Sequence, residues 1–112
     1  PYTTASTVYV ATTESSGTEY SAGGNTLAGN AVSNVADIAT VDFTDSVWGS
    51  PTPATFSAAY GAIYNSSESN KLIVILDFGG TKSCSNGTFT VTFPSPTSGS
   101  PSGADALLSI TS

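Results

Sequence analysis

Histidine, methionine and arginine are missing from this 112-residue chain, and cysteine occurs once. Without histidine neither a Ser–His–Asp relay nor a Cys–His pair can be assembled. The GxSxG elbow that presents a nucleophilic serine is absent as well. The single thiol, Cys84, cannot close an internal disulfide, so the fold does without covalent staples. With no histidine to activate it, Cys84 reads as structural. Positive charge is almost as scarce. Lys71 and Lys82 stand against eight acidic residues, for a net charge of −6. Phosphate backbones and anionic lipids need clustered Lys and Arg, so neither nucleic acid nor a membrane is expected as partner. No apolar run approaches the roughly 18 residues of a membrane span.

Charged residues of either sign make up only 9% of the chain, which leaves solubility to Ser, Thr, Asn and Gly. That composition is closer to an extracellular or virion surface than to a cytosolic enzyme. The 38% hydrophobic content argues against disorder, which needs low hydrophobicity with high net charge. The straight-chain helix formers are also few, and helix signals are correspondingly weak.

Period-two alternation is present instead, with Val8 and Val10 set against Thr7 and Tyr9. It recurs from Val35 to Phe43 and again from Thr88 to Phe93, where Phe89, Val91 and Phe93 oppose three threonines. Ala58–Tyr64 predicts a strand whose Gly61 marks a bulge or a close backbone approach. Ala104–Ile110 predicts a last strand. Leu72–Phe78 is apolar on both faces as far as Asp77, which predicts a central strand or one covered by another subunit. Turn residues recur at Ser16-Gly17, Ala22–Asn25, Trp48–Pro51, Gly79-Gly80 and Asn86-Gly87. The chain therefore predicts a single all-β domain over residues 1–112, an antiparallel β-sandwich or jelly-roll-like fold of about seven to eight short strands. An extended N-terminal arm (about residues 1–6) and a Pro/Ser-rich loop (residues 94–103) flank its strands.

Candidate chemistry is thin. Asp77-Phe78-Gly79 spells the magnesium-binding tripeptide of protein kinases, but the accompanying glycine loop, strand lysine and HRD motif are absent. Its expected role is to end a strand. Carboxylate pairs such as Asp42 with Asp45, or Asp77 with Glu68, are the formal requirement for glycoside hydrolysis. Eight acids on a small β domain form such pairs by chance, and a solvated surface is the expected reading. No cofactor is expected; calcium is the one ion the composition could support, through the Asp42/Asp45 spacing. Asn65-Ser66-Ser67 and Asn86-Gly87-Thr88 match the glycosylation sequon, as chance allows in a chain this rich in Asn, Ser and Thr. The aromatics divide into core candidates (Phe43, Phe78, Phe89 and Phe93) and candidates for a sugar platform or protein interface: Tyr2, Tyr9, Tyr20, Trp48, Tyr60 and Tyr64.

An ordered series of segments carries a resemblance. It runs SGTEYSAGG (Ser16–Gly24), Val47-Trp48, GAIYN (Gly61–Asn65), LIVILDFGG (Leu72–Gly80) and SNGTFTV (Ser85–Val91). The series resembles a family of small structural proteins of tailed bacteriophages, some of them similar to capsid decoration, or cement, proteins. The resemblance implies a non-enzymatic protein on the outer capsid surface of a virion. It would act as a homotrimer bridging subunits of the major capsid protein. The chain departs from the family in its Pro/Ser loop, in the Ala104–Ser112 tail that follows, and in a shorter N-terminal part. A phage fibre or tail component, or a secreted carbohydrate-binding β-sandwich, is the alternative. Subunit or capsid contact is expected at Pro1, Tyr2, Val8, Tyr9, Val10, Ile73 and Ile75, the apolar N-terminal stretch and the second face of the Leu72–Phe78 strand.

Overall fold

Strand structure dominates, and no helix longer than a single 3-10 turn forms among the residues that can be described. The structure, a computed structural model, describes residues 5–35, 38–93 and 108–111. Pro1, Tyr2 and the 94–103 loop lie outside them. Seven strands run in chain order: β1 (Ala31–Val35), β2 (Ile38–Asp42), β3 (Ser46–Trp48), β4 (Ala54–Asn65), β5 (Lys71–Gly87), β6 (Phe89–Val91) and β7 (Leu108–Thr111). The chain divides into two compact units: residues 1–24 with 48–89, and residues 25–47 with 90–112. Strands β3 and β6 pair with each other as a two-stranded sheet.

In the first unit β4 and β5 form one long antiparallel ribbon. Asn65 closes its hairpin end by accepting a 3.0 Å hydrogen bond from Ser67 N–H, starting the 3-10 turn Ser66–Glu68. Ser69 and Asn70 then take left-handed φ values of 54° and 58° to reverse the chain. The ladder is interrupted three times along β5, the last where Ser85 and Asn86 stand opposite Thr55 alone. Tyr64 faces Leu72 and Ile63 faces Val74, so Ile73 is an extra residue with no counterpart on β4. Farther along, Ala58 faces Lys82 and Tyr60 faces Asp77, so Phe78–Thr81 bulge opposite Ala59 alone. Asp77 Oδ1 caps this second bulge by accepting from Gly79 N–H at 2.8 Å. Gly79 and Gly80 supply its positive φ of 69° and 119°.

Three strand expectations change on this ribbon. Lys71, LIVILDFGG and the following TKSCSNG form one 17-residue strand, so the strand expected to end at the Gly79-Gly80 turn runs on through it. That strand is not central: among the described residues its long ladder is with β4 alone. At 17 and 12 residues, β5 and β4 are not short. Gly61 does mark a close approach, since a Cβ there would lie 3.0 Å from the Phe78 ring.

The core of this unit is aromatic. Phe56, 6% exposed, sits among Tyr20, Trp48 and Phe89, with ring centroids at 5.0, 6.0 and 4.8 Å. Phe78 joins through Phe89 at 6.1 Å. Such pairs contribute about 0.5–1.5 kcal/mol each beyond their buried area.

In the second unit β2 lies between β1 and β7 in an antiparallel sheet, with Val35 facing Ile38 and Ala39 facing Ile110. The alternation from Val35 to Phe43 is thus the end of one strand followed by a second, not a single strand. Strand rather than helix holds for Leu108–Ile110. Phe93, 5% exposed, meets Phe43 edge-on at 5.9 Å, and its N–H donates to Asp45 Oδ1 at 2.9 Å. The alternating Thr88–Phe93 stretch is regular strand only over Phe89–Val91, and it pairs with β3.

The ribbon admits a direct comparison of two glycines. A Cβ on Gly17 would sit 2.1 Å from the Thr55 carbonyl oxygen, whereas one on Gly79 meets nothing within 4 Å. Gly79→Ala bears only the cost of a left-handed alanine, about 1 kcal/mol. Gly17→Ala must also move backbone against backbone and is expected to lose about 1–3 kcal/mol more, read from paired urea unfolding curves.

Candidate interaction surface

Residues 5–24 cross the β4–β5 ribbon as a strap, and most of the expected contact residues lie on the strap or on the part of β5 it meets. Val8 bridges antiparallel to Lys71, with Tyr9 N–H donating to Asn70 O at 2.9 Å and Leu72 N–H to Thr7 O at 3.0 Å. The Val8–Val10 alternation thus produces one bridge rather than a strand. At its other end the strap bridges Thr18 to Thr55 through reciprocal bonds of 3.1 and 3.2 Å, and Ser15 Oγ donates to Ser57 O at 2.7 Å. Gly17 lets the chain come this close to β4, since any side chain there would strike the Thr55 carbonyl.

The apolar residues expected at an interface divide into two groups. Val8, Val10 and Ile73 are 42%, 45% and 65% exposed. Val8 faces Lys71, two residues from Ile73, so these exposed side chains gather near the hairpin end of the ribbon. Ile73 stands out because it is the unpaired residue of its bulge, while Ile75, opposite Ala62, is half-buried. Tyr9 turns the other way and is spent on the fold: its ring stacks on Tyr64 at 4.5 Å and 8° between planes. Tyr60, opposite Asp77, is 52% exposed.

At the centre of the strap is a residue that nothing in the sequence singles out. The Glu14 carboxylate accepts hydrogen bonds from the Tyr9 hydroxyl, from the Tyr20 hydroxyl at 2.8 Å and from Gly23 N–H at 2.7 Å. Tyr64 reaches from β4 to donate to Gly23 O at 2.9 Å. Partial burial alone would push the Glu14 carboxyl up; its three donors outweigh that and hold it below the ordinary value. Burial, and then the bond to Glu14, push the Tyr20 hydroxyl up. What distinguishes Glu14 is separation: its partners lie five, six and nine residues away in a segment with no regular period.

The other sequence candidates are dispersed. Asp77 caps its bulge, whereas Glu68 lies at the hairpin turn 3.7 Å from Lys71, so the two do not form an acid pair. One oxygen of Asp45 is engaged by Phe93 N–H, and Oδ1 of Asp42 is buried without a hydrogen-bond partner. Among the described residues no group of three metal-ligating side chains forms. Trp48 is half-buried among Tyr20, Phe56 and Phe89 rather than displayed as a sugar platform. Cys84 Sγ lies 3.7 Å from the Phe56 carbonyl oxygen. A depression of about 430 Å³ in the second unit is lined by Asn25, Thr44, Asp45 and Ser46 among others. Its polar groups already serve the fold, since Asn25 Nδ2 donates to Ser46 Oγ at 3.2 Å and to Val47 O at 2.9 Å.

Exposure separates two substitutions on the same hairpin. Ile73→Ser removes a side chain that covers little and is expected to change stability by less than about 0.5 kcal/mol. Tyr64→Ala loses both the Tyr9 stack and the bond to Gly23, and is expected to cost about 2–4 kcal/mol by urea denaturation. No protein-family model, no curated protein and no solved structure matches this chain.

Proposed function

We propose that this protein is a non-catalytic virion component, a decoration or cement protein of a tailed-phage head. In this reading it sits on the outer capsid surface as a homotrimer and bridges subunits of the major capsid protein. The same reading takes its antiparallel sheets as parts of a sandwich or jelly roll. The observation that carries the proposal is the distribution of apolar side chains. Among the described residues the buried hydrophobics are Ala54, Phe56, Ile63 and Phe93, while Val8, Val10, Val32, Val47, Tyr60 and Ile73 are exposed. A protein that stabilises a shell needs complementary surface repeated by symmetry, and burying such side chains against neighbours supplies the association energy. The ordered resemblance of Ser16–Val91 to phage structural proteins supports the same reading, as does a surface with few charges to desolvate.

A specific observation favours a second reading. Tyr60 is 52% exposed and faces Asp77 across the ribbon. An aromatic face beside a carboxylate suits a sugar ring and its hydroxyls, as in a carbohydrate-binding module or a phage fibre.

Sedimentation with and without empty capsid shells decides between them. The decoration reading expects a trimer or a shell-bound species, and Ile73→Asp with Val8→Asp should weaken shell binding at least about tenfold, since charge placed in an apolar contact is strongly penalised. A strictly monomeric protein that ignores shells overturns it. Glycan-array binding lost on Tyr60→Ala would establish the second reading.

A further inference from the structure

We propose that the strap, residues 5–24, is an acid-released element of the first unit, with the Glu14 carboxylate as its latch. Unlike the ribbon it covers, the strap is lightly attached. The β4–β5 ladder has ten paired positions, whereas among the described residues the strap's backbone bridges to it are Val8–Lys71 and Thr18–Thr55. Segments joined by so few backbone bonds open locally at far lower cost than the ladder beneath them.

Between the bridges the strap depends on its shape. Glu14 draws Tyr9, Tyr20 and Gly23 together. That arrangement aims the Tyr9 ring at Tyr64, offers Gly23 O to the Tyr64 hydroxyl and lays Tyr20 against Phe56 at 5.0 Å. These three contacts with the ribbon therefore follow from one carboxylate, and beside them stands the bond from Ser15 Oγ to Ser57 O at 2.7 Å.

An ionised carboxylate only accepts, which suits three converging donors. Protonation places a donor on one oxygen and turns the remaining charge-assisted bonds into neutral ones of roughly half the strength. Among the described residues the groups facing Glu14 are the phenols of Tyr9 and Tyr20 on the strap, with the Tyr64 phenol one contact beyond on β4. Glu19, the strap's other carboxylate, is exposed. On β5, Lys71 is directed to Glu68 at 3.7 Å, and among the described residues no salt bridge reaches Glu14. The carboxylate is held below its ordinary value of 4.5, so its stabilisation is complete above that value. It is lost as pH falls through the lower value of the folded state.

Amide hydrogen exchange on the full chain, corrected for intrinsic rates, tests the latch between about pH 6 and pH 3. The bridge amides of Tyr9, Thr18, Thr55 and Leu72 should lose about tenfold or more of their protection in acid, while the ladder amides of β4 and β5 keep theirs. Glu14→Gln should expose the bridge amides at every pH and abolish the acid step. Tyr9→Phe, which removes one donor and spares the ring stack, should move the step to higher pH. Three results would each overturn the proposal: bridge amides equally protected across the range, bridge and ladder amides lost in one transition, or an acid step that survives Glu14→Gln.

Discussion

The pairing of β4 with β5 is the constraint on which the first unit rests. A two-stranded ribbon is at best marginal in water, and other parts of the chain pack on this one and bond to its edges. At one end the aromatic group of Tyr20, Trp48, Phe56 and Phe89 covers the start of β4. At the other end Tyr9 lies on Tyr64. The strap makes backbone bonds to Asn70, to Leu72 of β5 and to Thr55 of β4, so it ties both strands. The ribbon sets where each of these pieces can land, because the pairing of β4 with β5 fixes the position of every partner on it.

Much of the β character was legible because it depends on local chemistry. Threonines alternating with Phe and Val, scarce helix formers and frequent turn residues suffice to call for strands. Gly61 was legible too, as a residue small enough for a ring to lie against. Long-range register was not. Gly79-Gly80 has the same local signature in a hairpin turn and in a bulge, since both need positive φ; what makes it a bulge is that Lys82 goes on pairing with Ala58. Leu72–Phe78 is not a central strand for a related reason. Two apolar faces suggest a covered strand, yet the unpaired Ile73 breaks the alternation and accounts for one exposed isoleucine without a covering sheet.

Glu14 was illegible for a different reason. A catalytic or metal site can often be recognised by residue types at characteristic spacing. A carboxylate that organises an irregular segment has no such spacing, and its donors here are two common phenols and a backbone amide. Tyr9 shows the converse. It stood among apolar neighbours and so was expected at a contact surface, but its hydroxyl found an acceptor and its ring found Tyr64. Val8 and Val10, with no polar end to satisfy, remain outside.

The bulges at Ile73 and Phe78–Thr81 on β5 bear on what kind of association this region can support. A long open strand edge invites ladder pairing without limit, and proteins interrupt such edges with bulges, charges or short lengths. Here Ile73 breaks the ladder on one side and Phe78–Thr81 on the other, leaving Val74–Asp77 as the uninterrupted paired run between them. Four residues are too few to template a stable strand addition, and the strap already occupies the edge at Leu72. The side chains displaced outward by the same geometry, Ile73 above all, stay available. Contact through this part of the ribbon therefore favours side-chain packing over backbone pairing. Packing of shaped surfaces stops at a fixed number of copies wherever the symmetry closes, whereas open edge pairing propagates. A component that must bind at defined places and then stop needs the first kind of surface.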